Sequence, residues 1–183
     1  KRINNDILRR SGSGYLASHG PDIMRSRDSW FMGVTLQYGP DGSVFVIDWS
    51  DTGECHSVRN TQRHTGRIYR ITYGPPHRPK LHLATATNER LVELQSHRND
   101  WMVRHARRIL QERAAAGVDL REAVTNLRSM FETASDVPRK LRALWALHVM
   151  GGLDEAALLK HLKDPSEHVR AWAIQLLVEN RLQ

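Results

Sequence analysis

Hydrophobic residues recur at two different spacings along the chain, and the spacing changes near residue 75. Before this point, short segments alternate apolar and polar residues, as β-strands with one buried face do. After it, apolar residues recur every three or four positions, which is typical of amphipathic helices. Three prolines between residues 75 and 79 mark the change. The pattern predicts a β domain at 1–74, a Pro-containing linker at 75–86 and helices at 87–183.

The strongest strand signals surround the turn Gly39-Pro40-Asp41-Gly42. Residues 30–38 lead into this turn, and residues 43–49, rich in β-branched and aromatic side chains, lead out of it. Residues 67–73 alternate polar with apolar side chains and supply a third strand. Three strands in about forty residues is the spacing of a β-propeller blade. Before it we expect an edge strand with a turn, a short strand and a polar loop, at 1–13, 15–18 and 19–29.

Six helices are predicted after the linker, from apolar periodicity and from residues suited to helix ends. Thr87 and Asn99 are expected to cap the first two helices, and Asp119 with Glu122 forms a capping box for the third. Pro165 is expected at the first position of the last helix. The predicted helices end near residues 96, 117, 131, 150, 162 and 180.

The second helices of three successive pairs share an apolar residue followed by arginine, as Val103-Arg104, Leu141-Arg142 and Val169-Arg170. This recurrence predicts about three HEAT-type helical hairpins, each of which buries its apolar face only against its neighbours. Each arginine is expected to bond to an adjacent repeat or to a helix end. The predicted fold class is therefore α+β, with an antiparallel propeller blade followed by an α-solenoid.

Composition is ordinary for a globular protein, with 40% hydrophobic and 26% charged residues. No apolar run is long enough to span a membrane, and residues 1–10 lack the apolar centre of a secretory signal. Cys55 is the single cysteine, so an internal disulfide and a Cys-x-x-Cys-His haem attachment are both excluded.

The net charge of +7 raises the question of nucleic acid. Most of that net charge lies in residues 1–80. In residues 81–183, the helical half on which a nucleic acid would be expected to bind, positive and negative charges are nearly balanced. We see no basic stripe interleaved with aromatic residues in the sequence. The charge distribution therefore argues against a nucleic-acid partner.

Polar loops of the β part carry the side chains with ligand-binding chemistry, above all the long segment 51–65. The candidate metal ligands are Asp48, Asp51 and His56, whose oxygen and imidazole donors suit Ca²⁺ or a transition metal. The candidate ligand-binding residues are His19, Asp22, Arg59 and His64. The alternative for the two aspartates, which the turn chemistry favours, is that they accept backbone N–H bonds.

No catalytic residue is assigned, because the sequence has no phosphate-binding glycine loop, nucleophile elbow or paired catalytic carboxylates. The tryptophans of the helical half are predicted to be core residues, and two of its histidines are predicted to be bonded within the same faces. These residues are Trp101, Trp145, Trp172, His105 and His148.

Short motifs occur in a fixed order along the β part: Ser13-Gly14-Tyr15, His19-Gly20-Pro21-Asp22, Asp28-Ser29-Trp30-Phe31, Tyr38-Gly39-Pro40-Asp41-Gly42, Asp48-Trp49-Ser50-Asp51 and Gly66-Arg67-Ile68-Tyr69-Arg70. In this order they resemble the end of the propeller in the large membrane-bound dehydrogenases of planctomycetes. The resemblance continues through Asn99-Asp100-Trp101, Val103 to Arg108 and Leu144 to His148, and so covers nearly the whole chain. In that family a propeller similar to glucose/sorbosone dehydrogenases precedes HEAT-type repeats and a c-type haem domain.

The resemblance implies a fragment of a larger exported dehydrogenase of the sugar or alcohol type, located in the periplasm or cell envelope. This part would serve as propeller closure and helical scaffold without its own catalytic centre. It implies no cofactor in this chain, whereas the parent could use Ca²⁺ with pyrroloquinoline quinone, or c-type haem. Expected partners are the rest of the parent polypeptide or a protein on the helical repeats. The alternative is an independent protein–protein interaction module built on HEAT repeats.

A single blade leaves both of its faces bare, because each propeller blade packs between two neighbours. We therefore expect self-association through residues 1–73 when the missing blades are absent.

Overall fold

The computed structural model describes residues 1–49, 52, 62, 64–75 and 79–179. The chain divides into two compact units, Lys1–Arg78 and Pro79–Gln183. The described part of the first unit contains strands and the described part of the second contains helices. The predicted order, β followed by all-α, is therefore confirmed in this general form.

Seven strands form three antiparallel sheets in the described part of the first unit. They are β1 Arg2–Ile3, β2 Asp6–Ser11, β3 Gly14–His19, β4 Met24–Arg25, β5 Gly33–Tyr38, β6 Val44–Asp48 and β7 Arg67–Ile71. β1 pairs with β4, β2 with β3, and β5-β6-β7 form a three-stranded meander. The predicted loop at 19–29 thus contains a short strand, β4, because its backbone pairs with β1. The described residues form no closed propeller.

The turn between β5 and β6 depends on two glycines, as its composition predicts. Gly42 has a φ of 81°, which L side chains rarely adopt. A Cβ atom on Gly39 would lie 2.6 Å from the ring of Phe45, so a side chain does not fit there. This turn aligns Val44 of β6 with Tyr38 of β5 and with Ile71 of β7.

The core of the β unit is small. Ile3, Phe31 and Val46 are buried, with Tyr69 among the partly buried residues around them. The rings of Phe31 and Tyr69 meet edge-on with centroids 5.7 Å apart. The three-stranded sheet contributes Val46 to this core from one of its faces, and the described residues of the unit therefore bury little apolar surface.

Six helices lie in the described part of the second unit: α1 Asn88–Glu93, α2 Asp100–Ala115, α3 Arg121–Thr133, α4 Val137–Val149, α5 Glu155–His161 and α6 Glu167–Val178. Short 3-10 turns occur at Leu83–Thr85, inside the predicted linker, and at Leu94–Ser96. The helix α2 contacts α4, α4 contacts α6, and α1 contacts α3. The helices of each successive pair also contact one another. None of the described helices is long and apolar enough to cross a membrane.

Most predicted caps are present. The side chains of Thr87 and Asn99 accept backbone N–H bonds at the starts of α1 and α2, as predicted, and the Asp154 side chain does the same at the start of α5. Two positions differ from the prediction. Leu120 rather than Asp119 occupies the N-cap of α3, although Asp119 still accepts the N–H of Arg121 at 3.1 Å. Pro165 precedes the N-cap of α6, Ser166, because the Asp164 carboxylate accepts the Ser166 N–H and forms a turn before the helix.

Candidate functional site

The predicted ligand-binding residues His19 and Asp22 lie together at the end of β3. The Asp22 side chain is only 4% exposed, and its Oδ2 accepts a hydrogen bond from Arg25 Nε at 2.7 Å. Its Oδ1 lies 3.3 Å from His19 Nε2 and 3.6 Å from Arg2 Nε. The other His19 nitrogen, Nδ1, is 3.5 Å from Asp6 Oδ1. His19 therefore lies between two carboxylates. The Asp22 carboxylate contacts three side chains that are cationic or can become so.

The charge of Asp22 is well compensated. The hydrogen bond from Arg25 holds the pKa of the Asp22 carboxyl below its usual value, burial opposes this, and the charges of Arg2, Arg25 and His19 reinforce it. The carboxylate thus stays ionised and joins β1, through Arg2, to β3 and β4. These contacts describe an ion-pair network that fastens the small strands to one another.

Asp48, a predicted metal ligand, is the last residue of β6 and is buried. Its Oδ1 accepts the backbone N–H of Met32 at 2.8 Å, and its Oδ2 is 3.9 Å from Arg67 Nη1. Arg67 also donates to Asp28 Oδ2 at 3.3 Å. A bond from a backbone N–H is what the alternative interpretation of Asp48, a structural role, predicts. This bond holds the end of β6 against the segment before β5.

The structure describes few contacts for the other predicted site residues. Asp51, His56 and Arg59 lie outside the described residues, so a site that combines Asp48 with Asp51 and His56 stays a prediction. His64 is exposed in a turn. Within the described ranges, no group of three or more His, Cys, Asp or Glu side chains is placed to hold a metal ion.

Sequence reasoning missed a third carboxylate with little exposed surface, Asp41, in the turn between β5 and β6. Its Oδ1 accepts the Ser43 N–H at 3.1 Å, and its Oδ2 contacts the Ser43 hydroxyl and the Arg70 guanidinium. The hydrogen bonds from Ser43, followed by those from Arg70, hold the pKa of Asp41 well below its usual range. The turn composition pointed to Asp41, but its pairing with Arg70 of β7 follows only from the β6–β7 register.

The β unit also presents apolar surface. A cavity of about 330 Å³ lies among residues of β1, β5, β6 and β7, and Asn4 and Gln37 are its polar lining residues. Large apolar side chains are exposed on every strand from β2 to β7 except β4. They include Leu8, Leu16, Val34, Leu36, Ile47 and Ile68.

In the helical unit, the signature arginines Arg142 and Arg170 make structural bonds of the kind that the repeat pattern predicts. Arg142 of α4 donates to the carbonyls of Gln95 and His97 at 3.4 and 3.0 Å, and to Asp100 Oδ1 at 3.1 Å, so it fastens the second pair to the first. Arg170 donates to the carbonyl oxygens of Asp164 and Pro165 in its own pair, at 2.7 and 2.9 Å.

The helical tryptophans are partly buried rather than fully enclosed. Trp145 of α4 meets Trp172 of α6 edge-on, with ring centroids 4.9 Å apart. The guanidinium of Arg107, from α2, lies 5.2 Å from the centroid of the Trp145 ring. Sequence reasoning missed this cation–aromatic contact, because Arg107 and Trp145 are far apart in the chain.

His105 and His148 are bonded, as predicted. His105 Nδ1 lies 2.8 Å from the Trp101 carbonyl oxygen, and its ring stacks on that of Trp101. His148 Nε2 lies 2.6 Å from Glu179 Oε2 and connects the C-terminal ends of α4 and α6.

Comparison with known proteins adds one similarity. Residues 3–74 match a family model described as a domain of unknown function, DUF7133. The match covers the β unit and stops before the helices. No curated protein and no solved structure matches the chain.

Proposed function

We propose that this chain is a connecting piece of a larger exported dehydrogenase of the sugar or alcohol type. Its β unit would complete a propeller, its helices would form a scaffold of HEAT-type repeats, and neither would carry a catalytic centre. The proposal rests on the ordered motifs of the sequence and on the surface of the β unit.

The exposed apolar surface of the β unit is the observation that carries the proposal. In this proposal the three-stranded sheet β5-β6-β7 would supply three strands of a four-stranded blade. Leu36 lies opposite the buried Val46 on one face of this sheet and is 56% exposed. Ile68 lies opposite Ile47 on the other face and is 72% exposed. Such surface on both faces is what a blade has when its neighbours are absent.

The stacking of the helical pairs supports a scaffold. Helices α2, α4 and α6 follow one another in one layer, as the second helices of HEAT-type repeats do. Arg142 connects two of these pairs through carbonyl oxygens, which is a structural role. A stacked array of this kind would hold the domains on either side of it at a fixed separation.

The experiment is to purify the full-length parent and to record its absorbance and its bound-metal content. We expect a quinone or haem signal that is absent from the 183-residue chain. In the parent, Ca²⁺ with pyrroloquinoline quinone or a c-type haem would then supply the redox chemistry. A parent without quinone, haem or metal contradicts the dehydrogenase proposal, as does a parent that stays in the cytoplasm.

A second candidate is an independent protein-interaction module. The partly exposed Arg107–Trp145–Trp172 contact spans three helices, and aromatic and arginine side chains are common in protein interfaces. Sedimentation of the 183-residue chain separates the two candidates. A monomer with a protease-resistant β unit would favour the module, because an incomplete propeller is expected to associate.

A further inference from the structure

One face of the three-stranded sheet is covered at one row of side chains and hollow at the next. Val46 of β6 packs with Phe31 in the core of the β unit, and the two residues are 1% and 2% exposed. Tyr38, Val44 and Ile71 lie opposite one another on β5, β6 and β7, in the next row of the same face. These three residues line the cavity of about 330 Å³.

The rest of the lining comes from the same unit. It includes Ile3 of β1, which is 8% exposed, and Ile23, which directly precedes β4. β1 and β4 pair with each other, so this part of the lining belongs to a small sheet. Ile23 and Leu36 are both more than half exposed, and they lie where the cavity opens to solvent. The cavity is therefore formed within one folded unit of the chain.

None of the described residues that line the cavity is charged. Residues 1–80, in contrast, contain 12 Lys and Arg and 7 Asp and Glu. A charged ligand would lose its hydration in the cavity without gaining a partner of opposite charge. The lining therefore favours a neutral ligand, whereas the surface of the β unit attracts anions.

The lining combines aliphatic side chains with a few polar groups, as ligand-binding pockets usually do. Asn4 is one of the polar lining residues, and its Nδ2 donates to Asp6 Oδ2 at 3.1 Å. Because the amide nitrogen makes this bond, the amide oxygen is the acceptor that Asn4 can offer to a ligand. An acceptor beside aliphatic surface suits a hydroxyl group on an apolar molecule.

The volume of the cavity sets the size of the ligand. An apolar cavity of about 150 Å³ holds one benzene molecule, and this cavity is about twice as large. We propose that the cavity binds a neutral, largely apolar molecule of about two fused rings that carries one hydroxyl group. The proposal rests on the lining of the β unit alone and does not require the dehydrogenase proposal.

A matched pair of probes tests the proposal on the 183-residue chain. At pH 7, 2-naphthol is neutral, and 2-naphthoate has the same rings but a negative charge. Calorimetric titration should give one bound 2-naphthol per chain, with a dissociation constant on the order of 0.1 mM for a ligand of this size. Binding of 2-naphthoate should be at least about tenfold weaker. Adsorption to the basic surface would give the reverse order, because it favours the anion.

A matched pair of variants locates the binding. Ile23→Trp enlarges an exposed side chain at the opening of the cavity and should weaken 2-naphthol binding at least about tenfold, because the indole occupies the space. Ile68→Trp makes the same change on the opposite face of the sheet, where Ile68 is 72% exposed, and should leave the affinity unchanged. Far-ultraviolet circular dichroism of both variants checks that the fold is retained.

Three outcomes would overturn the proposal: no binding of 2-naphthol, binding of 2-naphthoate that is equal or tighter, and equal effects of the two substitutions. Sedimentation addresses another occupant, a second copy of the chain. Self-association that Ile23→Trp abolishes and that 2-naphthol does not reverse would assign the lining to that copy and would also overturn the proposal. Since no quinone or haem signal enters these measurements, their failure is separate from failure of the proposed function.

Discussion

His161 is the titratable side chain of the helical unit whose surroundings most clearly oppose its charged form. Its ring lies 4.5 Å from that of Phe131, and Lys140 lies over the same phenylalanine at 5.6 Å. Burial lowers the pKa of His161, the nearby Lys160 and Lys140 act in the same direction, and Asp164 opposes them. Because the unfolded chain then binds this proton more readily, acid favours unfolding of the last hairpin.

The substitution His161→Phe should therefore reduce the acid sensitivity of the helical unit. The contribution of His161 is present at neutral pH and is lost as pH falls through the unfolded value of 6.5 toward the lower folded pKa. Melting temperatures measured from pH 8 to 5 should fall less steeply in the variant than in the unsubstituted chain. His168→Gln, at an exposed position of α6, is the control and should leave the slope nearly unchanged.

At the scale of the helices, a few polar contacts across the apolar interface connect neighbouring helical pairs. Arg142 is the clearest, because its side chain is only 18% exposed and its guanidinium donates to two carbonyls and one carboxylate of the first pair. The carbonyls that it satisfies belong to the residues between α1 and α2, where helical bonding ends.

Arg142→Met should lower the free energy of unfolding by about 1–3 kcal/mol, the usual cost of leaving buried acceptors without a donor. Methionine keeps the apolar length of the side chain, so the loss reports the bonds. Urea unfolding followed by far-ultraviolet circular dichroism measures it. Arg108→Met, on α2, should cost well under 1 kcal/mol, because the Arg108 side chain is 63% exposed and forms a surface ion pair with Glu112. Equal losses at the two positions would mean that the Arg142 contacts contribute nothing specific.

Elements with local signals could be predicted from the sequence, and contacts that depend on register could not. Neighbouring residues determine the helix caps at Thr87 and Asn99 and the turn around Gly42. The local sequence therefore predicts these features. β4 escaped prediction because its two residues form a strand only through pairing with β1. His19 and Asp22 are close in sequence and could be grouped, but the bond from Arg70 to Asp41 spans 29 residues.

At the scale of the whole molecule, the two units differ in how completely they bury their apolar residues. Among the residues that the structure describes, the helical unit has one continuous core, whereas the core of the β unit contains three buried residues and leaves apolar side chains exposed on both sheet faces. The helical unit is thus the better packed part, and association is expected to begin in the β unit.

The 183-residue chain should self-associate in a concentration-dependent manner through the β unit. Replacing Leu36 and Ile68 together by threonine keeps strand propensity while removing apolar surface from both faces, and should shift the chain toward monomer. Sedimentation velocity over a range of protein concentrations measures the shift. Val118→Thr, which removes an apolar side chain that is 45% exposed in the helical unit, should have no such effect. Monomeric behaviour of the unsubstituted chain throughout this range would refute the prediction.

The contact between Trp145 and Trp172 has an optical consequence. Two indole rings with centroids 4.9 Å apart and planes inclined by 71° have transition dipoles close enough to couple. Their interaction should produce an exciton couplet in the circular dichroism spectrum, and Arg107 above Trp145 should shift its emission. Since the two rings belong to α4 and α6, the couplet vanishes when these helices separate, even if each remains helical. The protein therefore carries an intrinsic spectroscopic reporter of the interface between its last two helical pairs.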